Sequence, residues 1–213
     1  MTDHVRVAID QGIMTLTLNR PEKKNAITNA MYGVLGESLA RADSDSKIRV
    51  VLIQAEGDAF TSGNDLGDFA AVAAGTLKRE EMKSGLFLSG LARAQKPLIA
   101  AVQGLAVGVG TTLLLHCDFA YVADDAQLST PFVNLGLVPE AASSLLLPAR
   151  IGYARAFQLF ALGEPIDGRR AAAIGLVTAS APAHEVRSMA LATAKKLTDK
   201  PSGALKAMKR LLR

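Results

Sequence analysis

Apolar and polar residues alternate along IMTLTLN (residues 13–19), with Met14, Leu16 and Leu18 on one side and Thr15 and Thr17 on the other. That period predicts a half-buried strand. RPEKKN (20–25) ends it with a proline and charges. From Thr28 the period changes: Met31, Leu35, Leu39 and Ala42 recur at helical spacing with polar residues between them. RVVLIQ (49–54) and PLIAAVQG (97–104) are near-continuous apolar runs, as expected of strands covered on both faces, and FAYVAD (119–124) is a third candidate. Helical patterns occupy roughly 77–95, 108–116, 153–161 and 183–198, the last with Val186, Met189, Ala190 and Leu197 along one face. PSGALKAMKRLLR (201–213) reads as a basic amphipathic helix whose apolar stripe packs on the domain or on a neighbouring subunit. Strands alternating with helices predict an α/β layered fold rather than a sandwich.

Composition narrows this little. At 213 residues the chain buries one sizeable core, so one domain is the default. Trp is absent and aromatics are 5%, which argues against recognition by stacked rings. The formal charge of +4 is spread along the chain, and no basic cluster is interleaved with aromatics, so nucleic acid is not an expected partner. Cys117 is the single cysteine, which rules out an intrachain disulfide and leans towards a reducing compartment. The start MTDHVRVAID has no apolar signal core, and GLAVGVGTTLLLHC is too short and glycine-rich to span a bilayer. The expectation is a cytoplasmic protein with no membrane role.

Three segments are candidates for chemistry. DAFTSGNDLGDF (58–69) follows an apolar strand and leads to a helix starting near Asp65, whose side chain is suited to cap it. VQGLAVGVGTTLLL (102–115) runs from a strand through Gly104, Gly108 and Gly110 into a helix. Such turns leave backbone N–H groups free at a helix start, where they favour negative charge. Neither the dinucleotide glycine pattern nor the phosphate-loop Lys-Ser/Thr ending is present. The third segment, STPFVNLGLVPEAASSLLLP (129–148), is small and apolar except for Glu140. Local sequence leaves two readings of Glu140: a solvent-facing carboxylate at a helix start, or a proton-transfer group over a pocket. His116 reads as a satisfied buried histidine, Cys117 as packing and Asp118 as a turn anchor. Ser143, Ser144, Thr111 and Thr112 have no evident base beside them, and no metal-ligand spacing occurs.

LNRPEKKNAIT (18–28), FTSGNDLGDF (60–69), KPLIAAVQGLAVGVG (96–110), CDFAYVADDAQLSTPFVNLGLVPE (117–140) and AAAIGLVT (171–178), in this order, resemble the crotonase, or enoyl-CoA hydratase/isomerase, superfamily. The resemblance covers nearly the whole chain. It implies an α/β fold with a spiral core of ββα units over 1–195 and a short C-terminal helix over 196–213. It also implies assembly as a homotrimer or dimer of trimers. Relatives commonly continue past the position of Arg213 with further helix that closes the acyl site or contacts a neighbour. The implied substrate is an acyl-CoA thioester whose carbonyl lies between the backbone N–H groups of Asn64 and Val109. The family often has glycine at the second position; valine keeps the N–H and narrows the pocket. Ser62, Gly63, Asn64, Asp65 and Leu66 are implied to line the coenzyme A path with Ala26 and Gly108, and Arg20, Lys23 and Lys24 to serve its phosphates. Phe132 and Leu135, with Val133 and Leu137, are implied as the apolar surroundings of the reacting group.

Hydratases of this family use two glutamates, and their positions here are Thr112 and Phe132. Neither does the acid–base work of a carboxylate. Glu140, after Pro139, matches the single catalytic glutamate of the Δ3,Δ2-enoyl-CoA isomerase branch, and SGNDL is closer to that branch as well. The resemblance thus implies a double-bond shift by one base, with coenzyme A part of the substrate and no separate cofactor or metal. Two other expectations stand beside it: a hydratase or thioesterase using non-standard residues, and a non-catalytic acyl-CoA-binding member.

Overall fold

The computed structural model describes residues 2–212; Arg213, the end of the predicted amphipathic helix, lies outside them. Val5–Asp10 (β1) and Ile13–Leu18 (β2) form an antiparallel hairpin. Gln11 and Gly12 join them with φ of 46° and 80°, the handedness that matches twisted hairpin strands. Helix α1 (Asn29–Ser44) follows, capped by the Thr28 hydroxyl, which accepts the Met31 N–H. Met31, Leu35, Leu39 and Ala42 are all buried, as their spacing predicts. β3 (Val50–Ala55) then lies parallel to β2.

Helix α2 (Leu66–Ala73) starts where expected, with Asp65 as its cap. The helix predicted over 77–95 is shorter. A 3-10 turn spans Arg79–Glu81, and α3 runs Ser84–Arg93. Asn29 explains the interruption: its amide donates to the Glu81 carbonyl at 3.0 Å and its carbonyl accepts the Lys83 N–H at 2.6 Å. Backbone groups captured by a side chain are lost to a continuous helix.

β4 (Leu98–Val102), buried at every residue, pairs with β3, and β5 (Leu105–Val107) then leaves for a second sheet. α4 (Val109–Thr112) passes directly into a 3-10 turn at Leu113–His116, so the helix predicted over 108–116 is a composite. The next turn repeats the step. β6 (Phe119–Ala123) lies beside β4, and β7 (Gln127–Ser129) lies parallel to β5. α5 (Ser143–Ile151), α6 (Tyr153–Leu162), β8 (Ile166–Asp167) and α7 (Gly168–Ala173) follow. β9 (Ala179–Ala181) closes the large sheet, whose order is β1-β2-β3-β4-β6-β9; β5-β7-β8 form the small one. The β4–β5 and β6–β7 circuits therefore each put one strand into each sheet and advance by one strand spacing, while the β3 circuit reaches the small sheet only through a bridge at Thr61. This mixed α/β winding is the spiral that the resemblance implies.

α8 (Ala183–Thr198) lies across the large sheet with Val186, Ala190 and Ala194 buried and Met189 and Leu197 packed at its edge. α9 (Ser202–Leu212) is fastened by Lys209, whose buried ammonium donates to Asp118 at 2.6 Å and to the Lys96 carbonyl at 2.8 Å. Asp118 also accepts the Leu98 N–H at 2.7 Å, so the expected turn anchor ties α9 to the start of β4. Among the described residues no helix is long and apolar enough to cross a membrane.

Candidate functional site

The two glycine turns meet edge to edge. Thr61 donates its N–H to the Leu105 carbonyl at 2.9 Å and accepts the Val107 N–H at 3.1 Å, which extends the small sheet by one bridge. The approach is too close for side chains at two points. A Cβ on Gly63, whose φ is 95°, would stand 2.9 Å from the Val107 carbonyl oxygen. One on Gly104 would stand 1.8 Å from the Asp58 carbonyl oxygen.

That packing sets the direction of two amides. The Gly63 carbonyl accepts the Ile27 N–H at 2.8 Å, and the Asp65 N–H reaches the Ile27 carbonyl at 3.0 Å. In a trans peptide the N–H points opposite to the C=O, so the Asn64 N–H is aimed away from Ile27. The Gly108 carbonyl accepts from Thr111 and Thr112, both at 3.0 Å, so the Val109 N–H projects backwards out of the α4 turn. Neither N–H has an acceptor among the described residues. Asn64 and Val109 both line a cleft of about 790 Å³, together with Arg20, Lys23, Ala26, Ser62, Gly63, Asp65, Leu66, Gly108, Phe132 and Leu135. Val109 is otherwise part of the hydrophobic core.

A smaller cavity of about 260 Å³ adjoins this cleft and shares Asn64, Asp65, Phe132 and Leu137 with it. Its apolar walls include Ile27, Met82, Leu88 and Val138, and Glu140 faces it. Burial pushes the Glu140 carboxyl above its ordinary pKa, and a hydrogen bond from the Thr112 hydroxyl to Oε1 partly opposes that rise. Glu140 does not start a helix in solvent, because α5 begins only at Ser143. The intervening Ala141 and Ala142 have φ of 54° and 55°, left-handed values that cost about 1–2 kcal/mol per non-glycine residue. The turn is held in place: Ser143 gives the Glu140 carbonyl its N–H at 2.9 Å and its hydroxyl at 2.5 Å. His116 Nε2 lies 2.8 Å from the Ala141 carbonyl oxygen, so the buried histidine is satisfied and supports the same turn.

The three basic candidates separate. The Arg20 guanidinium is engaged within the protein, bonding the Asp65 carboxylate and, at 3.1 Å, the Ala26 carbonyl. That bond from Arg20 holds the Asp65 carboxyl below its ordinary range. Asp65 in turn accepts the Gly67 N–H at 2.8 Å, so Arg20 orients the α2 cap and the cleft wall. Lys23 lines the cleft. Lys24 does not; its ammonium pairs with Asp58 at 2.5 Å. Leu66 and Leu135 are exposed at the rim, and Phe132 is buried against Phe160 with ring centroids 6.2 Å apart.

Two residues gain roles that sequence reasoning missed. Tyr32 donates from its hydroxyl to Asn64 Oδ1 and lines the smaller cavity with Glu140. Burial first, then the charges of Glu140 and Asp68, push its phenol well above the ordinary value. A polar-tipped aromatic next to Met31 on the buried stripe of α1 was the available signal, since a buried tyrosine hydroxyl needs a partner. Thr112, read as the position of a missing glutamate and as a hydroxyl with no evident base beside it, is a direct partner of Glu140.

A family profile described as enoyl-CoA hydratase/isomerase matches residues 8–213. The chain is 36% identical over 213 residues to enoyl-CoA delta isomerase 2 of Rattus norvegicus, covering 98% of this chain and 54% of that protein. It is 34% identical over 215 residues to a probable enoyl-CoA hydratase of Bacillus subtilis, covering 98% and 81%. The chain thus spans about half the length of the rat isomerase and most of the bacterial protein. The crystal structure of an enoyl-CoA hydratase/isomerase from Pseudoalteromonas atlantica superposes with a TM-score of 0.93 at 38% identity, covering 99% of this chain and 82% of that one.

Proposed function

The chain belongs to the enoyl-CoA hydratase/isomerase family, and from that premise we propose that it moves a double bond from position 3 to position 2 of an enoyl-CoA with Glu140 as its single base. The thioester carbonyl lies between the N–H groups of Asn64 and Val109. Glu140 takes a proton from C2, and the electron pair of that C–H bond spreads through a dienolate onto the thioester oxygen. The Glu140 carboxylic acid then returns the proton to C4, which leaves the double bond between C2 and C3. Atoms and charge balance without any cofactor beyond the coenzyme A that the substrate carries. Each amide contributes on the scale of an oxyanion-hole donor, about 3 kcal/mol. A carboxyl with a raised pKa suits a group that must both accept and release a proton.

The observation that carries this reading is the position of Glu140 on the small cavity beside Asn64, with a threonine at 112 and a phenylalanine at 132. Addition of water by two carboxylates lacks both of the groups that the resemblance assigns to it. The names of the relatives include hydratases as well as isomerases, so the test must separate the two reactions. Wild-type protein given 3-enoyl-CoA is expected to form the conjugated thioester, read by its absorbance, and Glu140→Gln to lose this by about 10²–10⁴-fold. Full turnover by Glu140→Gln overturns the assignment. Efficient hydration of 2-enoyl-CoA replaces it with the hydratase reading.

The same proposal extends to the surroundings. The lone buried thiol, Cys117, suits a reducing compartment, and we place the enzyme in the cytoplasm. Assembly as a homotrimer or dimer of trimers belongs to the same proposal and rests on the family resemblance; Met208, Leu211 and Leu212, exposed on α9, offer an apolar face for a neighbouring subunit to cover.

A further inference from the structure

Residue 64 is attached to the first circuit of the fold at two points. One is the backbone pairing with Ile27. The other is its side chain, whose Oδ1 accepts the Tyr32 hydroxyl across 32 residues of sequence. Gly63, just before it, has φ of 95° and no side chain to restrict its torsions. The two backbone bonds to Ile27, at the Gly63 carbonyl and at the Asp65 N–H, lie along one edge and leave the Gly63–Asn64 peptide group able to tilt about that edge. A further attachment, off that edge, removes the freedom. Tyr32 is a rigid anchor for it: the residue is 3% exposed, sits between the buried Met31 and Leu35 positions of α1, and packs its ring on Phe87 at 5.8 Å.

We propose that Tyr32 is a positioning residue for the reaction above, its hydroxyl holding the Asn64 side chain so that the Asn64 N–H stays aimed at the thioester oxygen. This inference rests on the acyl-CoA reading of the cleft. Tyr32 does not itself deliver a proton, because its hydroxyl hydrogen is already given to Asn64. Its contribution is geometric, and geometry at a reacting carbonyl is worth much in rate: a misplacement of about 1 Å costs on the order of 10²-fold.

Tyr32→Phe keeps the ring and removes only the hydroxyl. Its kcat for 3-enoyl-CoA is expected to fall about 10- to 100-fold, while KM stays within about threefold, the pattern of an interaction expressed in the transition state. The second readout is the infrared carbonyl band of bound, carbonyl-labelled butanoyl-CoA, which has no double bond to move. The wild-type site lowers that frequency by gripping the oxygen, and in Tyr32→Phe the band returns towards its solution position. A merely structural role lowers the melting temperature but leaves the band of the folded, saturated protein in place. Asn64→Ala removes the acceptor and keeps the amide, so it carries the same test if Tyr32→Phe does not fold. Each single change is expected to move the band, and the double change to move it no further. Unmoved kcat and band in these variants overturn the positioning role even where Glu140→Gln is inactive. Undiminished turnover by Glu140→Gln overturns the isomerase reading instead, and the band comparison still decides whether Tyr32 aims the amide.

Discussion

The Thr112 hydroxyl donates to Oε1 of Glu140, joining residues 28 apart in sequence. The bond does two things. It selects one orientation of the carboxylate over the small cavity, and it stabilises the ionised form against the burial that otherwise raises its pKa. Glu140 is thereby a base that is harder to protonate than burial alone would leave it.

Removing that hydroxyl with little change of shape, Thr112→Val, is expected to raise the Glu140 pKa further. The acid limb of kcat/KM against pH, which marks protonation of the base in the free enzyme, then moves to higher pH. The fold-loss in activity is greatest below the wild-type limb, shrinks above it and disappears at alkaline pH. The loss of one hydrogen bond to a charged group corresponds to about 1.5–3 kcal/mol, so the loss at the low-pH end is on the order of 10- to 100-fold. A pH–rate profile whose acid limb stays in place refutes the assignment of that limb to Glu140.

The same burial has a consequence for stability. The folded-state pKa of Glu140 lies above its unfolded value, so the folded protein holds this proton more tightly than the unfolded chain does. Its contribution to stability is fully present below the ordinary glutamate pKa and is lost as pH rises through the raised one. Glu140→Gln is neutral at every pH and escapes that loss. The variant is expected to melt at a higher temperature than wild type at pH 8, with the difference closing as pH approaches about 4. Thermal melts of the two proteins across that range check the sign. A constant difference means that Glu140 does not titrate differently on folding.

The parts of this architecture that were legible in the sequence are those set by short-range periodicity. α1 and α8 follow their apolar spacing, and β3, β4 and β6 follow their runs of buried residues. The small sheet was not legible, because β5 and β7 are three residues each and β8 is two, too short to show a period. β1 carries one buried residue in six and so lacks the pattern of a covered strand. Candidate site positions came from motif order, but their partners did not. Tyr32 meets Asn64, and Thr112 meets Glu140, only because the spiral stacks separate circuits, a long-range outcome that no local window contains.

Lys23 and Lys24 show the same limit and supply a sharp test. In RPEKKN the two are adjacent, and the family resemblance implies the same phosphate role for both. The 3-10 turn at Pro21–Lys23 ends on Lys24 in a left-handed conformation with φ of 49°, which turns the two side chains apart. Lys23 lines the cleft, whereas Lys24 pairs with Asp58 outside it. Exposed charge contacts are worth about 0.2–1 kcal/mol, so Lys23→Ala is expected to weaken coenzyme A binding by roughly two- to fivefold, more at low salt than at high. Lys24→Ala is expected to leave the affinity within error of wild type at both. Calorimetric titration of coenzyme A at two ionic strengths measures both variants. Equal weakening by the two substitutions means that the Lys24–Asp58 pair opens to serve the ligand, and that the cleft extends over the other side of the turn.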